Sequence, residues 1–346
     1  MNKKLLAIAV AAGLAMPMAA MAEMSAYGVG HVSLDVIDDG TDSAMNIASN
    51  SSRFGLKGSM DLDNGMKAGL QIETGIALDN RAGGTLADRN SFVSLGGGFG
   101  EVRIGNHDTP FKDVRSTHDL FNDYIGDLRN FSRSNGTTNA WDERARNSIL
   151  YISPMLGDVA TIKFQYSTNT GSGTASGSTA NDNDAYSANV IFNAGPVRVT
   201  LAYEMHNINA DDDESAMRAG VQYKGGPLTI NGFFHSASDQ GGVSGADLDV
   251  MGLGVGFKTG ATLLKLQYAM ADDFGDATDT GATILAVGAD FAMSKSSTIY
   301  IAYAMTENDD NADYSVTGGG GHGDDIAPSA VGEDPSGFSL GYIVKF

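Results

Sequence analysis

Strict two-residue alternation of apolar and polar side chains, held over about ten residues and repeated many times, is what most constrains this chain. From 52 to 62, Phe54, Leu56, Met60 and Leu62 fall on one side of an extended backbone, with Arg53, Lys57, Ser59 and Asp61 on the other. Successive strand side chains point to opposite faces, so the two sets meet different surroundings. The pattern returns at Val197, Val199, Leu201, Tyr203 and Met205 against Arg198, Thr200, Glu204 and His206. It returns again at Met217, Val221 and Tyr223 against Arg218, Gln222 and Lys224, and at Leu264, Leu266, Tyr268 and Met270 against Lys265 and Gln267. A face so charged must meet water, and the period never shifts to that of a helix.

Such segments predict sixteen strands, near 25–37, 52–62, 66–78, 88–97, 100–107, 145–154, 158–168, 184–194, 197–207, 215–224, 227–238, 247–258, 261–272, 281–293, 297–306 and 337–346. Ten residues tilted by about 45° cover roughly 23 Å, the height of the apolar band of an outer-membrane barrel. The connections alternate as well. Asp63-Asn64-Gly65, Gly96-Gly97-Gly98, Pro154 to Gly157, Gly195-Pro196, Gly225-Gly226-Pro227 and Thr259-Gly260 are tight turns, whereas 38–51, 107–145, 168–184, 207–215, 272–281 and 306–337 are long and polar. The fold class expected is therefore all-β: an antiparallel, sixteen-stranded transmembrane β-barrel with short periplasmic turns and long extracellular loops. An even count lets the first strand pair with the last and removes the sheet edges.

Residues 1–22 carry Lys3 and Lys4, an apolar run from Leu5 to Leu14 and an Ala20-Met21-Ala22 ending. That is the layout of a cleaved secretory signal peptide, leaving 23–346 as one barrel domain. No later apolar run is long enough for a transmembrane helix. A net charge of −20 excludes attraction to nucleic acid. With no cysteine, the exported chain needs a large core or a closed sheet to hold it.

Three stretches carry a family likeness: Ser52-Arg53-Phe54-Gly55-Leu56-Lys57-Gly58; Asp108-Thr109-Pro110 running into Asp119 to Asp127; and the Gly-Tyr-x-x-x-Phe ending from Gly341 to Phe346. On them the chain resembles the trimeric general diffusion porins of Gram-negative bacteria. The resemblance implies that the third long loop, 107–145, folds into the lumen, with Asp119, Asp123 and Asp127 facing a wall ladder of Arg53, Arg89 and Arg146. It implies a homotrimer in the outer membrane, in contact with lipid and lipopolysaccharide, passing ions and small hydrophilic solutes by diffusion. The spacing of four also fits three aspartates on one side of a short loop helix. Lys112, Arg115, Arg129 and Arg133 lie in the same loop, and loop 78–88 is short for one that latches a neighbouring subunit. Opposed charges at a constriction orient water and set ion preference, and the acidic loops lead us to expect a mild cation preference. A substrate-selective channel and a barrel-anchored surface adhesin are the competing readings. The single Trp argues against a stack of aromatics for sugars.

Enzyme motifs lack their contexts. Gly337-Phe338-Ser339-Leu340-Gly341 matches a nucleophile elbow, yet too little chain follows it to supply an acid and a histidine. The glycines from Gly318 to Gly323 match a dinucleotide fingerprint with no strand-turn-helix unit around them. The six histidines show no paired spacing, so no metal site, cofactor or catalytic residue is expected. Acidic clusters such as 211–214 read as solvated loops, with weak divalent binding between them and lipopolysaccharide phosphates as the alternative.

Overall fold

The structure, a computed structural model, describes residues 23–79, 83–132, 141–168, 184–208 and 213–346. The leader expected at 1–22 lies outside the described residues, as do Arg133 and the Asp211-Asp212 pair. Seventeen strands form one antiparallel sheet that closes on itself. β1 (Glu23–Asp38) pairs with β17 (Ser336–Lys345) from Val29 opposite Lys345 to Asp38 opposite Ser336. On its other edge β1 pairs in succession with β2 (Ser43–Ser49) and β3 (Arg53–Asp61). These two are halves of one stave broken at residues 50–52, where Ser51 has φ 49°, so the barrel has sixteen staves.

The remaining staves run β4 (Lys67–Gly75), β5 (Ser91–Gly97), β6 (Gly100–Asp108), β7 (Arg144–Ile152), β8 (Ala160–Ser167), β9 (Ala185–Ala194), β10 (Val197–Asn207), β11 (Asp213–Gly225), β12 (Leu228–Ser238), β13 (Leu248–Thr259), β14 (Thr262–Ala271), β15 (Ala282–Ser294) and β16 (Ser297–Asn308). Each pairs with its sequence neighbour. Turns at one end are tight, and the connections at the other end include 76–90, 109–143 and 309–335.

One expected loop, 38–51, is corrected. Only 39–42 turns, because Ser43–Ser49 pair with the far half of β1. Met45 and Ile47 of this half-stave are exposed on the outside. Its Ser and Asn content is that of a strand rising beyond the apolar band.

Solvent exposure is inverted relative to a water-soluble protein. Phe54, Leu201 and Leu266 are exposed, while Thr200 and Gln267, one residue along from two of them, are each only 1% exposed. Burying polar groups inside an apolar shell is stable only when they are hydrogen-bonded or wet. Here much of the burial comes from 109–132 and 141–143, which fold inward. Their Phe111, Val114, Leu128, Phe131 and Trp141 pack on Ala202, Ala216, Ala237, Ala269 and Ala271 of the facing staves. The wall makes room with small residues. Gly126 (φ +78°) sits so close to β15 that a Cβ there would meet that of Ala286 at 2.6 Å.

Candidate functional site: the constriction

The inward loop begins at Thr109, whose hydroxyl accepts from the Lys112 amide at 3.2 Å and caps α1 (Pro110–His118). Pro110 in the first turn has no N–H to leave unsatisfied there. A second short helix, α2 (Arg129–Ser132), follows. Between them the chain turns rather than continuing as a helix, and Asp123 has φ 67°. The three aspartates therefore do not share a helix face, whatever their spacing suggests.

Asp119 and Asp127 point into the loop itself, with no side-chain exposure. Asp119 accepts from the Phe121 and Leu128 amides at 2.7 and 2.9 Å and from Gln267 of β14 at 2.9 Å. Asp127 accepts from the amides of Asp123 and Arg129, both at 2.8 Å, and from Arg115 at 2.9 Å. Their oxygens hold the loop's shape. Burial, then the neighbouring charge of Asp127, pushes the Asp119 carboxyl well above the usual carboxylate range. Burial works in the same sense on Asp127, but Arg115 and Arg129 prevail and hold it below that range. Asp123 is the one aspartate of the three at the opening, accepting from Ser51 at 3.0 Å and facing Arg129 at 3.9 Å.

Across a cavity of about 220 Å³ from the loop stands a basic wall built on β3 to β7. Arg53 of β3 and Arg89, just before β5, converge on one carboxylate, Glu73 of β4, at 3.9 and 2.8 Å. Lys112 of α1 and Arg144 of β7 converge on another, Asp108, at 2.9 and 3.2 Å. Four cations thus share two carboxylates, and with Glu143 beside Arg144 also lining the cavity one surplus positive charge remains. Burial pushes the Lys112 ammonium down to about 8, with Asp108 resisting and Arg144 and Arg129 assisting.

Of the three expected wall arginines, Arg53 and Arg89 line this cavity and Arg146 does not. A register shift between Gly105 and His107, with Asn147 at φ 49°, turns Arg146 into a separate cleft beside Leu86, Ile104 and Ile149. Arg144 occupies the wall instead. A bulge of this kind reverses the facing of residues on one side of it.

The sequence reading also missed what anchors the loop. Arg218 of β11 grips Asp142 through both guanidinium ends, donates to the Ser132 carbonyl at 3.1 Å and lies over the Phe111 ring at 4.1 Å. Arg218 first, then Arg115, overcomes burial and holds Asp142 far below the usual carboxylate range. Trp141 beside it stacks on His206 with ring centroids 4.6 Å apart.

A closed, inside-out barrel narrowed by a charged inward loop defines an outer-membrane channel. The Gram-negative porin family matches residues 7–311, and the chain belongs to that family. Outer membrane porin protein 32 of Delftia acidovorans is 29% identical over 368 aligned residues, covering 99% of each chain. Among solved structures, an anion-selective porin from Comamonas acidovorans superposes with a TM-score of 0.75 at 24% identity, over 94% of this chain and 100% of that one. OmpT of Vibrio cholerae in a trimer form gives 0.67 at 17% identity, over 94% and 99%. The protein is an outer-membrane porin.

Proposed function

We propose that the barrel passes ions and small hydrophilic solutes by passive diffusion, and that its selectivity is set by Arg53, Arg89 and Arg144 of the wall facing Lys112 and Asp123 of the loop across the waist. The observation that carries this is the sharing of Glu73 and Asp108, which leaves the wall positive while the outer loops are acidic. Acidic loops at the mouth enrich cations, the basis of the mild cation preference expected from composition; the wall opposes it. At 0.1 M salt, charges more than about 10 Å away are screened, so the wall acts on a permeating ion more strongly than the mouth does. The two effects leave a weakly selective channel suited to neutral and anionic solutes as well as cations. Purified protein in a planar bilayer gives stepwise conductance with a small zero-current potential in a KCl gradient. Strong discrimination of either sign counts against this balance, and an absence of steps from folded protein counts against the channel itself.

Cleavage after Ala22, a homotrimeric assembly and contact with lipopolysaccharide at the long-loop end complete the reading. A trimer form is described for the Vibrio cholerae relative in fold, and the apolar outer face here, with Leu201 and Leu253 exposed, offers surface for lipid or a second copy. Unheated gel electrophoresis and native mass spectrometry test the assembly.

A further inference from the structure

The last long connection, 309–335, turns back into the mouth, and its His322 reaches the inner wall. His322 Nε2 stands 3.3 Å from Asp35 Oδ2 of β1, and neither side chain is exposed. One ligand atom from each of Asp35, His322 and Asp324 lies within 4.8 Å of the others, the one such grouping of three found among the described residues. Sequence spacing hides it because its members come from opposite ends of the chain.

An ion pair alone accounts poorly for the geometry. Asp35 Oδ1 and His322 Nε2 are both buried without a hydrogen-bond partner, so at 3.3 Å the imidazole is not aligned to donate to the carboxylate. Two ligands held at about 2.0–2.1 Å on one tetrahedral ion stand about 3.3 Å apart. The surroundings are ordered as an outer shell would be. Asp35 Oδ2 accepts from Ser33 at 2.7 Å, the Ser33 hydroxyl accepts from Asn50 at 2.8 Å, and Asn50 accepts from the Gly323 amide at 2.7 Å. The wall residue and the backbone next to His322 are thus tied together.

We propose that Asp35, His322 and Asp324 form a binding site for a divalent transition-metal ion of the Zn²⁺ class. One imidazole with two carboxylates suits such an ion, whereas Ca²⁺ and Mg²⁺ take oxygen ligands. Without the ion, His322 Nδ1 accepts from the Asp324 amide at 3.1 Å. With it, Nε2 supplies its lone pair to the metal and the imidazole proton moves to Nδ1, so the Asp324 amide gives up its bond to Nδ1 and Nδ1 turns to the Asp324 carbonyl oxygen, 3.4 Å away. His322 also borders a cavity of about 320 Å³ at the mouth. The bound ion fastens the last loop to β1, and Gly319 and Gly320 of that loop line the constriction cavity.

The test is calorimetric titration of the full, detergent-folded protein with Zn²⁺ after chelator treatment, alongside H322A, D35N and D324N. The expected result is one Zn²⁺ per chain, weakened at least about tenfold in each variant and undisturbed by excess Ca²⁺. D324N alters the half-buried member and keeps the test decisive should D35N misfold. Equal Zn²⁺ binding by wild type and H322A overturns the proposal, and so does a folded wild type that binds none, the result a simple His–Asp ion pair gives. Conductance in metal-free KCl persists either way, which separates failure of this site from failure of the channel reading.

Discussion

Arg218 holds Asp142 at 2.6 and 2.9 Å through its two terminal nitrogens, with both side chains fully buried, and this bond seats the inward loop on the barrel. Buried pairs of this kind are costly to break from one side, by about 3–5 kcal/mol, because the remaining charge has no water to turn to. R218Q is therefore expected to loosen the loop while leaving the sheet closed. Trp141, the one tryptophan of the chain, is next to the bond and fully buried. Its emission shifts to the red and becomes open to acrylamide quenching in R218Q, and single-channel current becomes larger and noisier.

Asp119 and Asp127 are expected to respond differently to the same substitution. Burial and Asp127 push the Asp119 carboxyl up, and in D119N Arg115 keeps its closer partner Asp127 at 2.9 Å, so that variant disturbs the amides that Asp119 accepts from but shifts Trp141 emission less than D127N does. Asp127 is held ionised by Arg115, so D127N leaves that guanidinium short of a partner and exposes Trp141 as R218Q does. Equal behaviour of the two variants contradicts this division of roles.

Replacing the wall cations R53Q and R89Q together removes two positive charges beside Glu73. The zero-current potential in a KCl gradient moves toward cation preference, and E73Q moves it the opposite way. The direction is the test, independent of where the wild type starts.

Lys112 gives a dependence on pH whose sign follows from its lowered value of about 8. At pH 7 the ammonium is mostly charged, and by pH 9 it is mostly neutral, so the constriction loses a positive charge across that interval. Selectivity shifts toward cations between pH 7 and pH 9, and K112Q flattens the part of the titration centred near 8.

The sheet was readable from sequence because its cause is local: a side chain's facing depends on the parity of its position, and sixteen staves repeat the rule. Where the rule failed, parity itself was altered or the stave outran the membrane. The bulge at Asn147 turns Arg146 off the lumen, and nothing in the residue types there announces it. Ser43–Ser49 carry too few apolar residues to alternate clearly, although they pair fully. For the constriction, the lumenal side of Arg218 was legible, but its partner was not. Asp142 reaches it only through the folding of a loop held by Arg115, Asp119 and Asp127. The resemblance implied an opening lined by all three aspartates and their spacing a shared helix face, whereas desolvated carboxylates are more useful as acceptors for a turning backbone.

At the break between β2 and β3, the Ser51 hydroxyl lies 3.0 Å from an Asp123 oxygen and 3.2 Å from the Gly321 carbonyl. One small side chain on a rigid frame thus touches both the tongue that sets the aperture and the flap that overhangs the entrance. Neither can swing without straining its hold on the same hinge point. Whatever grips the flap from outside tugs on the aperture too.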